Sequence, residues 1–365
     1  MAPFLGALAD RKGERKRFLL VFMTVGATAT ALLACVGKGA WPIASLVYIV
    51  AAVGFYGANL FYDALLPSVS SSNNRHTISG LGFSLGYLGS VILFGAQITL
   101  IQDPSLLGLS STDSAIKVSF LSVALWWILF SFPLLSNIKE TQIQPIESVG
   151  EAIKTSLLEL GVIFHQIGSE NRRLFWFLLA YWFYIDGAYT LITMATGYGA
   201  ALGFSQSELI VTLVVVQVLG IPSSLVFGVL GQRIKAEWLI LVTLVIYISV
   251  TLFSFGMTSE PFEVLGRPIV SIYILGACIG VAQGGLQSLS RSLYSSLIPT
   301  DRPASYFGLY NMVSRGAAIF GPFLLAVVSS TTGNPRYGTL PIAVLFLMGI
   351  VLLFKSMTEK CKKDS

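Results

Sequence analysis

Charged side chains are scarce in this chain of 365 residues. Asp, Glu, Lys and Arg together make up 11% of it, against roughly 25% in typical soluble domains. Hydrophobic residues amount to 54%, and the mean hydropathy is +0.76. A soluble fold of this size could not cover its surface with so few charges. The composition therefore excludes a soluble protein and predicts that lipid is much of the solvent.

Residue types that build metal and catalytic sites are also few. The chain has two histidines, His76 and His165, and three cysteines that lie far apart, Cys35, Cys278 and Cys361. The cysteines have neither metal-ligand spacing nor the pattern of a disulfide framework. No P-loop occurs, and no Gly-x-Gly-x-x-Gly motif opens a helix after a strand. We therefore expect no metal, no cofactor, no enzymatic activity and no ATP-driven transport.

Long apolar runs, by contrast, fill the sequence. A helix needs about 20 apolar residues to cross the hydrocarbon core of a bilayer. Ten runs are long enough, at residues 18–37, 43–66, 79–101, 116–138, 174–199, 207–230, 237–257, 268–290, 304–330 and 338–356. These runs lack the alternation of barrel strands, and only helices or closed barrels satisfy the backbone in lipid. The sequence predicts an all-α, polytopic membrane protein with about ten transmembrane helices, whose main partner is the lipid bilayer.

The lysines and arginines predict the orientation of these helices. The net charge of +5 is spread over short gaps between the runs, so it forms no basic face for nucleic acid. If residues 1–17 are cytoplasmic, 18 of the 23 Lys and Arg residues fall in inside segments, four fall outside and Arg315 lies within the membrane. Cytoplasmic loops carry the excess of Lys and Arg. Residues 1–17 and the C-terminus are therefore predicted to be cytoplasmic.

The longest inside segment, residues 139–173, divides four spans from six. Within it, apolar residues recur at spacings of three and four, at Ile146, Val149, Ile153, Leu157, Leu160 and Phe164. This spacing predicts an amphipathic helix along the membrane surface, either as a connector between bundles or as a regulatory docking site. The predicted domains are an incomplete N-terminal bundle at 1–138, this linker at 139–173, a six-helix bundle at 174–357 and a basic tail at 358–365.

Two sequence echoes indicate an internal duplication. Residues 6–12 (Gly-Ala-Leu-Ala-Asp-Arg-Lys) return as residues 228–234 (Gly-Val-Leu-Gly-Gln-Arg-Ile), and residues 62–67 return as 294–299. Two echoes in the same order and at similar offsets favour two related bundles. In the second bundle two spans precede the glycine motif. About fifty residues of the first bundle then have no counterpart here, and we expect a twelve-helix parent of which ten helices remain.

The glycine motif carries a resemblance. Gly6, Asp10, Arg11, Gly13, Arg15 and Lys16 resemble the loop signature of the major facilitator superfamily. Residues 61–67, 79–89 and 283–292 resemble the autophagy-related vacuolar effluxers of fungi and their bacterial relatives, and residues 310–322 fit the same branch. The resemblance covers essentially the whole chain. It implies a two-bundle secondary transporter of small-molecule substrates, with amino-acid efflux from the vacuole attributed to the fungal members.

The resemblance also sets further expectations. It places the chain in a bacterial cytoplasmic (inner) membrane, and we expect a monomer. The first helix of the superfamily, which lines the substrate cavity, is missing. A start codon placed too late and a degraded gene would each account for the missing helix.

Asp186 is the deepest acidic residue, near the middle of the span predicted at 174–199. Charged residues at this depth are costly and usually serve a site. Helical spacing aligns it with Tyr189 and Thr190, and Arg315 is similarly deep with Asn311 one turn earlier. Our hypothesis is that Asp186 and Arg315 face one cavity and exchange partners as substrate or proton binds. Asp186 would then accept and donate the proton; a purely structural carboxylate is the alternative.

Amide side chains mark two further spans. Gln283 and Gln287 are spaced four residues apart, as are Asn59 and Asp63 in the first half. Because amides in lipid need hydrogen-bond partners, these residues face protein or water. Gln283 and Asn59 are substrate-contact candidates, with bonding between helices as the alternative, and Gln287 and Asp63 are further candidates for binding substrate or proton.

The resemblance gives the loop at Asp10 and Arg11 a gating role. By family analogy it latches the cytoplasmic ends of the halves, and the carboxylate favours a nearby helix N-terminus. The second copy has Gln232 in place of Asp10, so only the first copy could make a charged contact. The sequence thus supports a secondary transporter of small organic solutes, amino acids first, by proton-coupled or facilitated efflux with alternating access. A truncated, non-transporting membrane remnant or scaffold is the alternative.

Overall fold

A computed structural model describes residues 2–138, 149–264 and 267–359. These residues form fourteen α-helices. In chain order they are α1 Ala2–Lys12, α2 Arg15–Leu32, α3 Trp41–Ala64, α4 Leu66–Val69, α5 Arg75–Gln102, α6 Thr112–Asn137, α7 Val149–Ser169, α8 Arg172–Ala201, α9 Gln206–Leu230, α10 Ala236–Gly256, α11 Ser271–Leu297, α12 Pro303–Ala317, α13 Phe320–Thr332 and α14 Leu340–Thr358. Short 3-10 turns cover Leu33–Cys35, Pro104–Leu107 and Tyr337–Thr339.

Ten helical segments of the described chain are long and apolar enough to cross a membrane, which confirms the predicted number of spans. They are Arg15–Cys35, Trp41–Ala64, Arg75–Gln102, Thr112–Asn137, Arg172–Ala201, Gln206–Leu230, Ala236–Gly256, Ser271–Leu297, Pro303–Thr332 and Tyr337–Thr358. Several begin before the predicted apolar run because polar residues occupy the first helical turns. The third, for example, begins at Arg75 instead of residue 79.

Two local features differ from the prediction of continuous helices alone. β1 (Phe262–Val264) and β2 (Arg267–Ile269) pair as a short antiparallel ribbon between α10 and α11, with Glu263 opposite Pro268. The span predicted at 304–330 is interrupted, because α12 ends at Ala317 and α13 begins at Phe320. The ribbon lies in a connection and leaves the all-α fold class unchanged. The interruption lies within a membrane span and shapes the candidate site.

The predicted amphipathic helix coincides with α7, except that Ile146 lies outside the described residues. Among the side chains of α7 that the structure describes, Ile163 and Ile167 are buried and Phe164 is 51% exposed. The position of this helix along the membrane surface stays a prediction.

The contacts divide the chain into two compact units. Unit 1 contains residues 1–69, 89–161 and 299–309, and unit 2 contains residues 70–88, 162–298 and 310–365. The first part of α5 thus belongs to unit 2, and the first part of α12 belongs to unit 1. The bundle limits predicted at 138 and 174 stay a prediction.

In unit 1, glycines bring α2 and α3 into backbone contact. A Cβ atom added at Gly54 would lie 2.4 Å from the Cα atom of Gly26. The indole ring of Trp127, on α6, would lie 2.5 Å from a Cβ atom added at Gly26. Small residues permit this close approach of the two backbones. The resulting van der Waals contacts stabilise helix association, because the hydrophobic effect does not drive it within lipid.

In unit 2, α9 and α11 meet in the same way along a row of glycines. A Cβ atom at Gly280 would lie 2.5 Å from the carbonyl oxygen of Val216, and one at Gly284 would lie 2.8 Å from Ser224 Oγ. On the other side of the unit, Tyr184 of α8 lies over Gly349 of α14. These contacts pack α8 and α11, which carry five of the nine predicted substrate or proton candidates, against α14 and α9.

Replacing Gly280 by Ala tests this packing. The added methyl group would press on the backbone of Val216, which cannot rotate away, so we expect the free energy of unfolding to fall by about 1–3 kcal/mol. Unfolding of the purified protein in detergent measures the loss. Gly95→Ala on α5 is the control, because a Cβ atom there meets nothing within 4 Å. Equal losses in the two variants would contradict the packing role of Gly280.

Candidate transport site and gating loop

The interruption between α12 and α13 follows from the local sequence. Pro322 has no backbone N–H, so it cannot bond back to the carbonyl of Ala318 within a continuous helix. In the structure Pro322 instead lies in the first turn of α13, where its missing donor does no harm. The break leaves the carbonyl end of α12 and the amide end of α13 inside one membrane span. These ends carry opposite partial charges.

The carboxylate of Asp186 lies at the amide end of α13. Its side chain is buried on α8, and Oδ1 accepts a hydrogen bond of 2.9 Å from the backbone N–H of Gly321. Thr190, one turn further along α8, donates its hydroxyl to the Asp186 carbonyl at 2.8 Å. A Cβ atom at Gly321 would lie 1.9 Å from Thr190 Oγ1. Only glycine therefore allows α13 to approach the carboxylate this closely.

Arg315 lies in the last turn of α12, at the carbonyl end of the break. Its guanidinium carbon is 5.6 Å from the centre of the Tyr189 ring on α8, a cation–π distance. Asn311 is buried one turn earlier, and its backbone carbonyl accepts from Ser314 Oγ at 3.0 Å. Asp186 thus bonds to Gly321 and Arg315 lies near Tyr189, and the hypothesis that the two charges face one cavity and exchange partners stays a prediction. Each charge is matched to the helix end of opposite sign.

A stack of aromatic rings, which the sequence analysis missed, packs beside this pair of helices. Tyr181 of α8 and Tyr310 of α12 stack with ring centres 4.2 Å apart, and Tyr310 stacks on Tyr294 of α11 at 4.7 Å. Phe177 extends the stack, 6.2 Å from Tyr181. The spacing of four residues between Phe177 and Tyr181 indicates that both lie on one face of α8. It does not indicate that rings from α11 and α12 stack against them.

The two glutamines of α11 meet a tyrosine that the sequence analysis also missed. Tyr87, on the part of α5 in unit 2, donates its hydroxyl to Gln287 Oε1 at 3.3 Å. Its ring covers Gly220 of α9, where an added Cβ atom would lie 3.1 Å away. Gln283 Oε1 is buried beside the same Tyr87 hydroxyl. The tyrosine therefore lies between two amide groups that could also bind a donor group of a ligand.

Arg291, one turn after Gln287, has a structural role instead. It is buried, its Nε and Nη2 atoms each donate to Ser79 at 3.0 Å, and its guanidinium lies 4.4 Å from the centre of the Phe83 ring. These contacts fasten α11 to the first part of α5.

The first-half candidates lie in unit 1. Asn59 lines a cavity of about 170 Å³ together with Tyr62, Trp127 and Ser131. Asp63 is half-buried near the end of α3. Most of the cavity lining is apolar, and Asn59, Tyr62 and Ser131 contribute its amide and hydroxyl groups.

The gating loop begins with a helix-ending motif at Gly13. Gly13 has φ +63°, a conformation that favours glycine. Its N–H bonds to the carbonyl of Asp10 at 3.2 Å, and the N–H of Glu14 bonds to that of Ala9 at 3.1 Å. This pair of bonds is the Schellman motif, which ends α1 and turns the chain into α2.

Asp10 caps the N-terminus of α12. Its two carboxylate oxygens accept from the backbone N–H groups of Ala304 (3.1 Å) and Ser305 (2.7 Å), and Oδ2 also accepts from Ser305 Oγ (2.9 Å). Arg15 Nε donates to Oδ1 at 2.7 Å. Burial raises the pKa of the Asp10 carboxyl, while Arg15 and the α12 donors act in the opposite direction.

The other motif residues complete this contact. A Cβ atom at Gly6 would lie 2.1 Å from the carbonyl oxygen of Ala304, so α1 and α12 touch through backbone. Lys16 donates to the carbonyl of Ile138 at the end of α6, where a cation suits the helix dipole. Arg11 is half-buried on α1.

The second copy repeats the contact without a charge. With its amide turned to match its neighbours, Gln232 Oε1 accepts from the N–H groups of Arg75 (3.1 Å), His76 (2.8 Å) and Thr77 (3.2 Å), at the start of α5. Gly228 takes the place of Gly6, because its added Cβ atom would lie 2.9 Å from the carbonyl oxygen of His76. Two related loops therefore cap two related helices, one with a carboxylate and one with an amide.

Comparison with known proteins decides the family. The model of the family described as "Vacuole effluxer Atg22 like" matches residues 1–365. This chain belongs to the Atg22-like vacuole effluxer family. The resemblance stated from the sequence is thereby confirmed.

The relatives of this Atg22-like chain include bacterial and fungal proteins. It is 36% identical over 358 residues to the "Uncharacterized MFS-type transporter YxiO" of Bacillus subtilis. The matched region covers 97% of this chain and 80% of the relative. It is 27% identical over 378 residues to autophagy-related protein 22 of Kluyveromyces lactis, covering 96% of this chain and 74% of the relative. The chain is thus a member of a transporter family of the MFS type.

Solved structures show the same fold. The proton:xylose symporter XylE matches with a TM-score of 0.70 at 12% identity, covering 97% of this chain and 82% of that structure. The MFS transporter FucP matches with a TM-score of 0.70 at 14% identity, covering 98% and 87%. The Atg22-like chain is an integral, multi-pass membrane protein with the major facilitator fold.

Replacing Gly321 by Ala tests the contact between Asp186 and α13. The methyl group would overlap Thr190 Oγ1 and displace Gly321 from the carboxylate, so we expect a loss of about 1–3 kcal/mol in the free energy of unfolding. Adding Thr190→Ala removes the nearest atom and should restore part of the loss. Gly316→Ala, where a Cβ atom meets nothing within 4 Å, should cost little. Absence of any rescue would contradict the proposed clash.

Replacing Asp10 by Asn tests the cap on α12. The amide keeps one acceptor oxygen but turns a donor group toward the N–H groups of the helix, so we expect a loss of about 0.5–2 kcal/mol. Melting temperature in detergent measures it. Asp301→Asn is the control, because Asp301 is exposed and pairs only with the neighbouring Arg302. Identical melting temperatures for Asp10→Asn and the unaltered protein would refute the cap.

Proposed function

We propose that this Atg22-like protein is a secondary active transporter that exports small organic solutes, with amino acids as the first substrates to test. The family description names vacuole effluxers, and the bacterial relative is named as an MFS-type transporter. Two structural neighbours are named as proton symporters of sugars. These names support transport as the activity and a proton as the coupling ion.

The observation that carries the proposal is the interrupted span with a charge at each end of the break. Discontinuous helices form substrate and ion sites in secondary transporters, because their free ends bind charged groups. Here Asp186 occupies the amide end of α13 and Arg315 stands at the carbonyl end of α12. A substrate that replaces either contact would bind to a group already held in place.

The chemistry of the neighbouring side chains fits an amino acid. A guanidinium such as that of Arg315 can hold a carboxylate through two parallel hydrogen bonds. The buried acceptor Oε1 of Gln283 suits an ammonium or amide N–H. The rings of Tyr189 and Tyr181 offer faces to a cation or to an apolar side chain.

In the proposed mechanism Asp186 carries the proton. The ionised carboxylate stabilises the positive end of α13, and protonation removes the charge that holds that end in place. Proton uptake would therefore loosen α13 and favour the arrangement in which the site opens to the other side of the membrane. The Asp10 cap on α12 is proposed to release and re-form during the same cycle.

We further propose the placement of the protein. Residues 1–17 and the C-terminus face the cytoplasm, in agreement with the excess of Lys and Arg in those segments. A bacterial cytoplasmic membrane fits the bacterial relative. The protein acts as a monomer, and Asn59 and Asp63 supply polar surface from the first-half bundle.

Replacing Asp186 by Asn in proteoliposomes tests the coupling. We expect wild-type protein to move a labelled neutral amino acid in response to a pH gradient. Asp186→Asn should abolish this response while retaining exchange of labelled for unlabelled substrate, which needs no net proton movement. Asp113→Asn is the control, because Asp113 is exposed and pairs with Lys38 and Lys117.

The outcomes separate the hypotheses. A pH-driven flux in Asp186→Asn equal to that of the wild type would refute the proton role. If Arg315→Gln lost exchange while Asp186→Asn kept its pH-driven flux, Arg315 would bind the substrate and Asp186 would not carry a proton. Absence of flux for every amino acid and organic acid tried, in folded wild-type protein, would favour the non-transporting scaffold.

A further inference from the structure

Basic side chains gather where α8 and α10 begin and α14 ends, all within unit 2. The basic residues in this corner are Arg172, Arg173, Arg233, Lys235 and Lys355, and the acidic ones are Glu170, Glu237 and Glu359. None of them takes part in the candidate transport site. We call this set the basic corner.

The three helix ends of the basic corner are fastened together. Arg173 of α8 pairs with the buried Glu237 of α10 at 2.5 Å, and its carbonyl accepts from Ser356 Oγ of α14 at 2.9 Å. The rings of Trp238 and Phe354 meet edge to face, 5.8 Å apart. The corner is therefore a fixed surface, so its cations are held near one another.

Most of these cations are not neutralised by protein. Glu237 is engaged with Arg173, and the described residues place no carboxylate within ion-pair distance of Arg172, Lys235 or Lys355. Lys38 and Lys117, by contrast, share the carboxylate of Asp113. The basic corner thus presents exposed positive charge that lacks a counter-ion from the chain.

The aromatic residues place the basic corner at the level of the lipid headgroups. Trp176 and Trp238 each lie about one turn inside the start of a membrane span, where indole rings favour the interface. The Lys355 ammonium lies 3.6 Å from the centre of the Trp176 ring. Lys355 is exposed despite this contact, and so is Arg172 at the first position of α8, four residues before Trp176.

We propose that the basic corner binds the headgroup of an anionic phospholipid. The phosphodiester oxygens would accept hydrogen bonds from Arg172 and Lys355, with Lys235 adding positive charge. The acyl chains would lie along the apolar outer faces of α10 and α14, where Val242, Val245, Phe354 and Val351 are exposed. Anionic lipids are attracted to such basic groups at the membrane surface, and a headgroup binds the charges without leaving the bilayer.

The test compares lipids on the full-length purified protein. Native mass spectrometry and melting temperature would be measured as phosphatidylglycerol or phosphatidylcholine is added to the detergent-solubilised protein. We expect retention of phosphatidylglycerol over phosphatidylcholine. The double variant Arg172→Gln/Lys355→Gln should reduce that preference on the order of tenfold. Both side chains are exposed, so the variant should fold, and circular dichroism would check this.

A matched control removes the same charge elsewhere. Lys38→Gln/Lys117→Gln also removes two exposed positive charges, and it should leave the lipid preference unchanged. Equal retention of both lipids by the wild type would overturn the proposal, as would an equal loss in the two double variants. Displacement of phosphatidylglycerol by inorganic phosphate would assign the corner to a soluble anion and overturn the lipid assignment. None of these outcomes depends on transport activity.

Discussion

The interruption of one membrane span between α12 and α13 is the feature on which the candidate site depends. A continuous helix satisfies its own backbone in lipid, so a break leaves amides and carbonyls that other groups must satisfy. Asp186 meets the amide end and Arg315 stands at the carbonyl end. The two charges are costly in lipid by themselves. The free helix ends at the break stabilise the charges of Asp186 and Arg315. The two charged side chains in turn stabilise the partial charges of those helix ends.

The internal duplication organises the rest of the molecule. In each half the loop after a helix end that contains a glycine caps the start of a helix distant in the sequence: Asp10 caps α12, and Gln232 caps α5. The backbone contacts at Gly6 and Gly228 match as well. α12 is consequently defined at both ends, by the Asp10 carboxylate at its first turn and by Arg315 at its last.

Much of this could be predicted from the sequence because membrane spans are long and strongly apolar. Hydropathy is a sum over about twenty residues, so the number of spans was correct although single boundaries moved. The depth of Asp186 and Arg315 followed from their position in the runs, and the Gly6 motif identified the superfamily. These inferences use only local composition and spacing.

Partners that lie far apart in the sequence could not be predicted in this way. Spacing showed that Asp186 is deep, but not that its donor is the N–H of Gly321, 135 residues later. The signals for the break, Gly316, Gly321 and Pro322, were present in the sequence, yet a hydropathy window averages over them. Tyr87 was not predicted as a site residue because it lies in an apolar run. Its hydrogen bond to Gln287 depends on how α5 and α11 pack.

The amide of Gln232 has a consequence for how the two caps respond to their surroundings. An amide oxygen keeps the same charge in acid, in base and in concentrated salt, whereas the carboxylate of Asp10 can be neutralised by a proton. Two contacts of common ancestry therefore differ in kind: one is constant, and the other can be switched. Acidification would act on the Asp10 cap of α12 and leave the Gln232 amide unchanged, so the two caps differ in their response to the same change of pH.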